Sequence, residues 1–256
     1  MPVPRVRLDS LLAERGLFES RTRAAAAIIA GDVHIGPGRR RAEKPGQLVD
    51  SEVELEVSGP PPFVSRGGVK LANALDTLGL DPKERNALDV GASTGGFTDC
   101  LLQRGATRVI ALDVAYGELD WRIREDERVT VIERTNARSI TSDDLPYAPD
   151  LVVIDVSFIS LTKVLPAVLG TTAPSFDCLA MVKPQFEVGK ERLGKGGVVR
   201  DLELRREAVR TVAASVDVAV MGSAPSALAG PSGNKETFLW LAEPGRPGAV
   251  EEVDAW

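Results

Sequence analysis

Apolar positions recur along the chain at two different periods, and the way the periods alternate divides it in two. Leu8, Leu11 and Leu12 share one helical face with Arg15 and stop at Gly16. Ser20 then caps a second helical run, Arg21 to Ala30, closed by Gly31. Val33-His34-Ile35 reads as a strand leading into a Gly36-Pro37-Gly38 turn, and the alternation of Val53, Leu55 and Val57 gives another strand. Gly59-Pro60-Pro61-Pro62 is stiff and extended, and marks a boundary. Beyond it, strand-like runs at Ala87–Gly91, Val109–Asp113, Val129–Glu133, Leu151–Asp155, Cys178–Val182, Val216–Val220 and Thr237–Leu241 alternate with helical ones. That alternation predicts a parallel, doubly wound, Rossmann-like α/β sheet. The expected organisation is a small α+β domain over 1–59, a linker over 60–64 and the α/β domain over 65–256.

Charge sharpens this division. The whole chain carries a net charge of -6, which argues against a uniformly basic nucleic-acid binder. From Arg5 to Leu48, however, nine basic side chains face five acidic ones. Arg5, Arg7, Arg21, Arg23, Arg39, Arg40, Arg41 and Lys44 are the candidate contacts to a polyanion, with a solvated basic face as the alternative. Cys100 and Cys178 lack metal-ligand spacing and read as small core residues, and a single histidine, His34, argues against a histidine-rich metal site or a Ser-His-Asp triad. No metal is expected. Arg5, Arg7 and Asp9 interrupt any signal-peptide core, and no apolar run approaches the roughly 20 residues that span a bilayer. A cytoplasmic protein without a membrane partner is expected.

The stretch Asp89-Val90-Gly91-Ala92-Ser93-Thr94-Gly95-Gly96-Phe97-Thr98 passes from a strand through small residues into a helix. Backbone amides at such a helix N-terminus can touch a ligand directly, because no Cβ intervenes. A P-loop would need Lys then Ser or Thr after its glycines, and the dinucleotide fingerprint needs G-x-G-x-x-G; neither pattern is met. S-adenosylmethionine (SAM) needs close backbone approach and no phosphate-binding lysine, and is the expected cofactor. Asp113, ending the next strand, is placed to accept both ribose hydroxyls or else to cap a helix, and Asn136 or its neighbouring backbone to hold the adenine edge.

Four charged residues fall where an α/β sheet places its chemistry: Lys70 on the helix entering the domain, Asp155 and Lys183 at strand ends, and Glu236 before the last apolar run. They suit methyl transfer to a sugar hydroxyl, a poor nucleophile unless its proton is removed as it attacks. A lysine is a general base only when burial or a neighbouring cation makes its neutral form accessible. Lys70 near Lys183 acts in that direction, Asp155 and Glu236 in the other, and the balance stays open. Amine methylation is disfavoured because Asp155-Val156-Ser157-Phe158 lacks the usual prolines.

Two resemblances follow. Arg7-Leu8-Asp9-x-x-Leu12, Gly16-Leu17, Ser20-Arg21, Gly31-Asp32-Val33-x-Ile35 and Lys44-Pro45-Gly46 resemble the S-four RNA-binding domain, with a departure at His34 and Gly36-Pro37-Gly38. Nearly the whole chain resembles the TlyA-type ribosomal RNA 2′-O-methyltransferases, which join that domain to an FtsJ-like methyltransferase domain. The phrases that carry it include Ser65-Arg66-Gly67-Gly68-Val69-Lys70, Asp155-Val156-Ser157-Phe158-Ile159-Ser160, Lys183-Pro184-Gln185-Phe186-Glu187 and Gly230-Pro231-Ser232-Gly233-Asn234-x-Glu236. The resemblance implies a Rossmann-like SAM-dependent methyltransferase sheet, the catalytic set Lys70, Asp155, Lys183 and Glu236, and cytidine ribose in 16S or 23S ribosomal RNA as substrate, with the ribosomal subunit as partner and no obligate protein partner. Some family members carry haemolysin names, so a membrane-active protein is the competing reading; a pseudouridine synthase and an RNA-binding protein with an inactive methyltransferase fold are two others.

Overall fold

The computed structural model describes residues 4–18, 20–59, 62–230 and 232–256; Pro60, Pro61 and Pro231, which entered the linker and motif readings, lie outside the described residues. The chain separates into two compact units, Met1–Pro62 and Phe63–Trp256.

The first unit runs β1 (Arg5–Arg7), α1 (Leu8–Glu14), α2 (Arg21–Ala30), β2 (Val33–Ile35), β3 (Arg40–Arg41), β4 (Leu48–Asp50) and β5 (Leu55–Val57). The Ser20 hydroxyl accepts the Arg23 amide at 3.3 Å, and Gly31, at φ +91°, ends α2 in the left-handed conformation that favours glycine. Strand β1 pairs antiparallel with β4, and β3, β2 and β5 form a separate three-stranded sheet. Leu8, Leu12, Ile28 and Val33 meet in a core that the two helices and β2 share.

The second unit runs α3 (Arg66–Leu78), β6 (Asn86–Val90), α4 (Gly96–Gln103), β7 (Arg108–Leu112), α5 (Trp121–Arg124), β8 (Val129–Ile132), β9 (Leu151–Ile154), α6 (Leu165–Leu169), β10 (Asp177–Val182), α7 (Pro184–Glu187), α8 (Leu202–Ala213), β11 (Ala219–Pro225) and β12 (Thr237–Ala242). Its seven strands lie in the order β11-β12-β10-β9-β6-β7-β8. Alternate residues face two cores: Leu88, Ile110, Val152 and Ile154 point to one side of the sheet, Ala87, Val109, Leu151 and Val153 to the other. Cys100 and Cys178 are fully buried in these cores, and burial pushes both thiols up, that of Cys100 to about 12.

The all-parallel expectation is corrected at one edge. Strands β8, β7, β6, β9 and β10 are parallel, but β12 is antiparallel to both β10 and β11. Among the described residues no helix intervenes between β11 and β12 to carry the chain back for parallel pairing. The strand expected at Val216–Val220 is likewise displaced to Ala219–Pro225. Its register shifts between Val220 and Gly222, and it ends in Pro225, a residue that only an edge strand accommodates.

At the ends of the strands remote from the glycine loop, the Asp177 carboxylate accepts from Arg85 Nη1 at 3.0 Å, Trp240 Nε1 at 2.9 Å and Arg246 Nη1 at 3.3 Å. Removing the shared acceptor leaves two guanidinium groups and an indole without it. Asp177→Ala should cost roughly 3 kcal/mol of unfolding free energy in urea titrations, whereas a loss below about 0.5 kcal/mol would mean that solvent replaces it freely.

Candidate active site

The strand order reverses between β6 and β9, the place where open α/β sheets bind ligands. Strand β6 is followed directly by Gly91, at φ +85°, and a Cβ there would lie 2.6 Å from the Asp155 carbonyl oxygen just past β9. Gly96 opens α4, and a Cβ there would lie 2.1 Å from Ser65 Oγ and 3.0 Å from the Gly68 nitrogen. The bare backbone at Gly96 therefore lets the start of α3, and Lys70 with it, come up against the loop.

Lys70, Asp155, Lys183 and Glu236 line one cleft of about 300 Å³ together with Ala92 and Phe97. They form two ion pairs. Lys70 Nζ donates to Glu236 Oε2, with both side chains buried. Lys183 Nζ lies 2.6 Å from Asp155 Oδ1 and donates to Ser157 Oγ at 2.8 Å. Gly230 is required beside the first pair, because a Cβ there would lie 2.5 Å from Glu236 Oε1. A second cavity of about 470 Å³ shares Gly91, Ser93, Asp155 and Ser157 with the cleft and extends past Asp113 and Asn136.

Asp113 accepts the Ser93 amide on one carboxylate oxygen and the Ala115 amide on the other, each at 2.8 Å. Asn136 caps a short 3-10 turn, its side chain accepting the Arg138 amide at 3.1 Å. Ser93 and Thr94 stand in the cleft wall, while Gly95, at φ +91°, packs inward against Leu119. Asp89 lines neither cavity. It is wholly buried behind the loop, accepting from Thr98 Oγ1 at 2.7 Å, with its other oxygen unpartnered.

Two residues quoted only as parts of motifs have defined contacts. Ser157 touches Lys183; its position two residues after a strand-end aspartate was the available signal. Glu187 of α7 accepts from Ser160 Oγ at 2.6 Å and the Leu161 amide at 2.9 Å, which ties the Ser157-bearing loop to the segment after Lys183. Nothing in residue spacing announced that clamp.

In the first unit, all eight candidate basic residues are exposed. Arg7 and Arg21 pair with Asp9, whose carboxyl the Arg7 guanidinium draws down to about 2. Arg39 pairs with Glu56, and Arg41 donates to the Ala30 carbonyl at 3.0 Å. Arg5, Arg23, Arg40 and Lys44 have no ion-pair partner among the described residues. Among those residues no helix is long and apolar enough to cross a membrane, and no cluster of His, Cys, Asp and Glu could hold a metal ion.

The family model described as FtsJ-like methyltransferase matches residues 63–243. The chain belongs to that family. It is 48% identical over 242 residues, 93% of this chain and 90% of the other, to the 16S/23S rRNA (cytidine-2′-O)-methyltransferase TlyA of Mycobacterium tuberculosis. It is 39% identical to Hemolysin A of Brachyspira hyodysenteriae over 79% of this chain and 84% of that one. A solved haemolysin-named protein of Streptococcus thermophilus superposes with a TM-score of 0.72 at 39% identity, covering 96% of this chain and 90% of the other.

Within the FtsJ-like unit, burial holds the Asp89 carboxyl up to about 7; the Thr98 hydrogen bond opposes the rise, and the charges of Asp155 and Asp113 add to it. The folded pKa lies above the unfolded one, so the native state binds the extra proton across that interval. Stability therefore falls as pH rises from about 4 to 7 and the penalty is complete above it. Asp89→Asn should gain on the parent protein through this window, by up to about 4 kcal/mol in urea melts at each pH. A difference that stays constant with pH would rule the burial argument out.

Proposed function

We propose that the chain transfers the methyl group of SAM to the 2′-hydroxyl of a cytidine ribose in ribosomal RNA, acting on ribosomal subunits in the cytoplasm. The observation that carries this reading is the convergence of two lysine–carboxylate pairs on one cleft at the reversal of strand order, beside a glycine loop that closes without any Cβ at Gly91. The name of the 48% identical relative supports the substrate.

The residues present fit the cofactor. Gly91 keeps the wall between the two cavities thin, and each Asp113 oxygen, already accepting one amide, retains a lone pair for a ribose hydroxyl. Asn136 and its backbone stand at the far side, where an adenine edge would be held. When bound, SAM supplies an electrophilic methyl carbon on a positively charged sulfur.

The remaining chemistry belongs to the chain. The attacking hydroxyl must lose its proton as the carbon–oxygen bond forms, and we assign that proton to Lys183 Nζ in its neutral form, the ammonium having first released a proton to solvent so that its lone pair is free. Asp155 and Ser157 fix this nitrogen from two directions, leaving the cleft as its open side. Lys70, held by Glu236, presents a second cation that orients the ribose oxygens. In-line placement of hydroxyl and methyl supplies much of the remaining rate.

Purified protein should transfer labelled methyl from SAM to ribosomal subunits, with mass mapping placing it on a cytidine ribose. Lys183→Ala should lower kcat by about 10²- to 10⁴-fold while SAM still binds; transfer at the parent rate removes Lys183 as the base, and label on a nucleobase removes the ribose reading.

The first unit fits an S-four-like RNA-binding module whose side chains contact phosphates rather than bases. Arg40→Ala and Lys44→Ala, at the side chains free of ion pairs, should weaken subunit binding and flatten its salt dependence by about one logarithmic unit for each phosphate no longer neutralised. Affinity and slope equal to those of the parent protein would leave this unit without the RNA role.

A further inference from the structure

A cavity of about 380 Å³ outside the catalytic cleft is walled by Arg200, Arg205, Ser232, Gly233 and Lys235, with Val198 and Val199. No carboxylate is among its lining residues. Three cations around one concavity repel each other, and nothing on its wall offsets them. Arg200 and Lys235 are exposed and have no ion-pair partner among the described residues, whereas nearby Arg192 is neutralised by Glu207. Arg205 is held in place: its Nη1 donates to the Arg200 carbonyl at 2.7 Å and the Val199 carbonyl at 3.3 Å. Its Nε is buried and unpartnered, a donor whose hydrogen bond is missing.

The cavity is built rather than incidental. Asn234, almost wholly buried, accepts the Val199 amide at 2.9 Å and donates to the Gly197 carbonyl at 3.0 Å. Its own carbonyl accepts the Gly230 amide at 2.9 Å. This one side chain therefore fastens the loop carrying Arg200 to the loop carrying Lys235. The second loop also supplies Ala229 and Glu236 to the catalytic cleft, and Lys235 and Glu236 are consecutive.

We propose that this basic cavity takes a backbone phosphate of the RNA whose ribose enters the cleft. The proposal rests on the RNA reading above. Arg200 and Lys235 neutralise the phosphate, and Arg205 and the Ser232 hydroxyl add donors. Because ribose and phosphate are joined covalently, one loop that lines both sites sets the register of the strand.

The test uses the full chain with Arg200→Ala and Lys235→Ala combined, and Lys83→Ala as a charge-loss control ahead of β6, at the opposite ends of the strands. SAM affinity by calorimetry should match the parent protein, which shows the fold intact. The double variant should raise KM for ribosomal RNA about tenfold or more, with kcat affected far less. Anisotropy with a fluorescein-labelled single-stranded RNA oligonucleotide should show a salt slope shallower by about 1 to 2. The control should change neither. KM and slope that follow the control overturn the site. If the parent protein methylates no ribosomal RNA, the functional reading falls, and the oligonucleotide slope still decides the phosphate site: shallower upholds it, unchanged overturns it.

Discussion

The second unit depends on one close approach, that of the Gly91 backbone to the Asp155 carbonyl where β6 and β9 end side by side. A carbonyl oxygen stands where a Cβ of residue 91 would be, 2.6 Å away, and only glycine meets both that contact and a φ of +85° without strain. The Asp155 amide in turn donates to the Val90 carbonyl at 2.9 Å, so the two strand ends are locked in both directions. The lock brings the loop, the Asp155 carboxylate and the Lys183 ammonium within reach of a single small molecule.

Those pairs are costly to build. Taking a lysine and a carboxylate out of water forfeits several kcal/mol of hydration per ion, which a contact repays only when its geometry is fixed. The molecule meets this condition by bracing both partners from behind: Gly230 leaves room for the Glu236 carboxylate, and Ser157 receives Lys183. The Glu187 clamp on Ser160 and Leu161 has the same logic one layer out. A structural ion pair needs no cavity beside it; these two share one.

How much of this could be read from residues alone followed the range of the interactions. Strand runs such as Leu151–Ile154 are legible because a buried parallel strand is apolar throughout. The antiparallel edge was not, since its direction depends on what connects β11 to β12, and Gly222 and Pro225 disguise a strand that pairs only along one side. The glycines at 91 and 96 are legible as a loop because the need for bare backbone is local. Asp89 opens the stretch whose pattern predicts a cofactor loop, yet it stands behind that loop holding Thr98, and residue order cannot separate those two sides. Lys70 with Glu236 spans 166 positions; each partner was recognisable by its place at a sheet end, but which carboxylate meets which lysine is a property of the folded sheet. Asn234 and Glu187 are further still from legibility, being polar residues whose partners lie in other loops and include backbone groups.

Charge placement follows from the same economy. With a net charge of -6 the chain as a whole repels a polyanion, but at physiological ionic strength charges are screened beyond about 8 Å. What an approaching phosphate meets is therefore the local surface, not the total. Basic side chains without acidic neighbours are worth more in that setting than a larger number already paired, since a paired guanidinium must give up or share its carboxylate first. Arg40 and Lys44 in the first unit, and Arg200 and Lys235 in the second, are of this uncommitted kind, while Arg7, Arg39 and Arg192 are not. Under the proposed function, an overall acidic protein handles RNA through a few open cations set in fixed loops, while its remaining negative surface opposes RNA binding anywhere else.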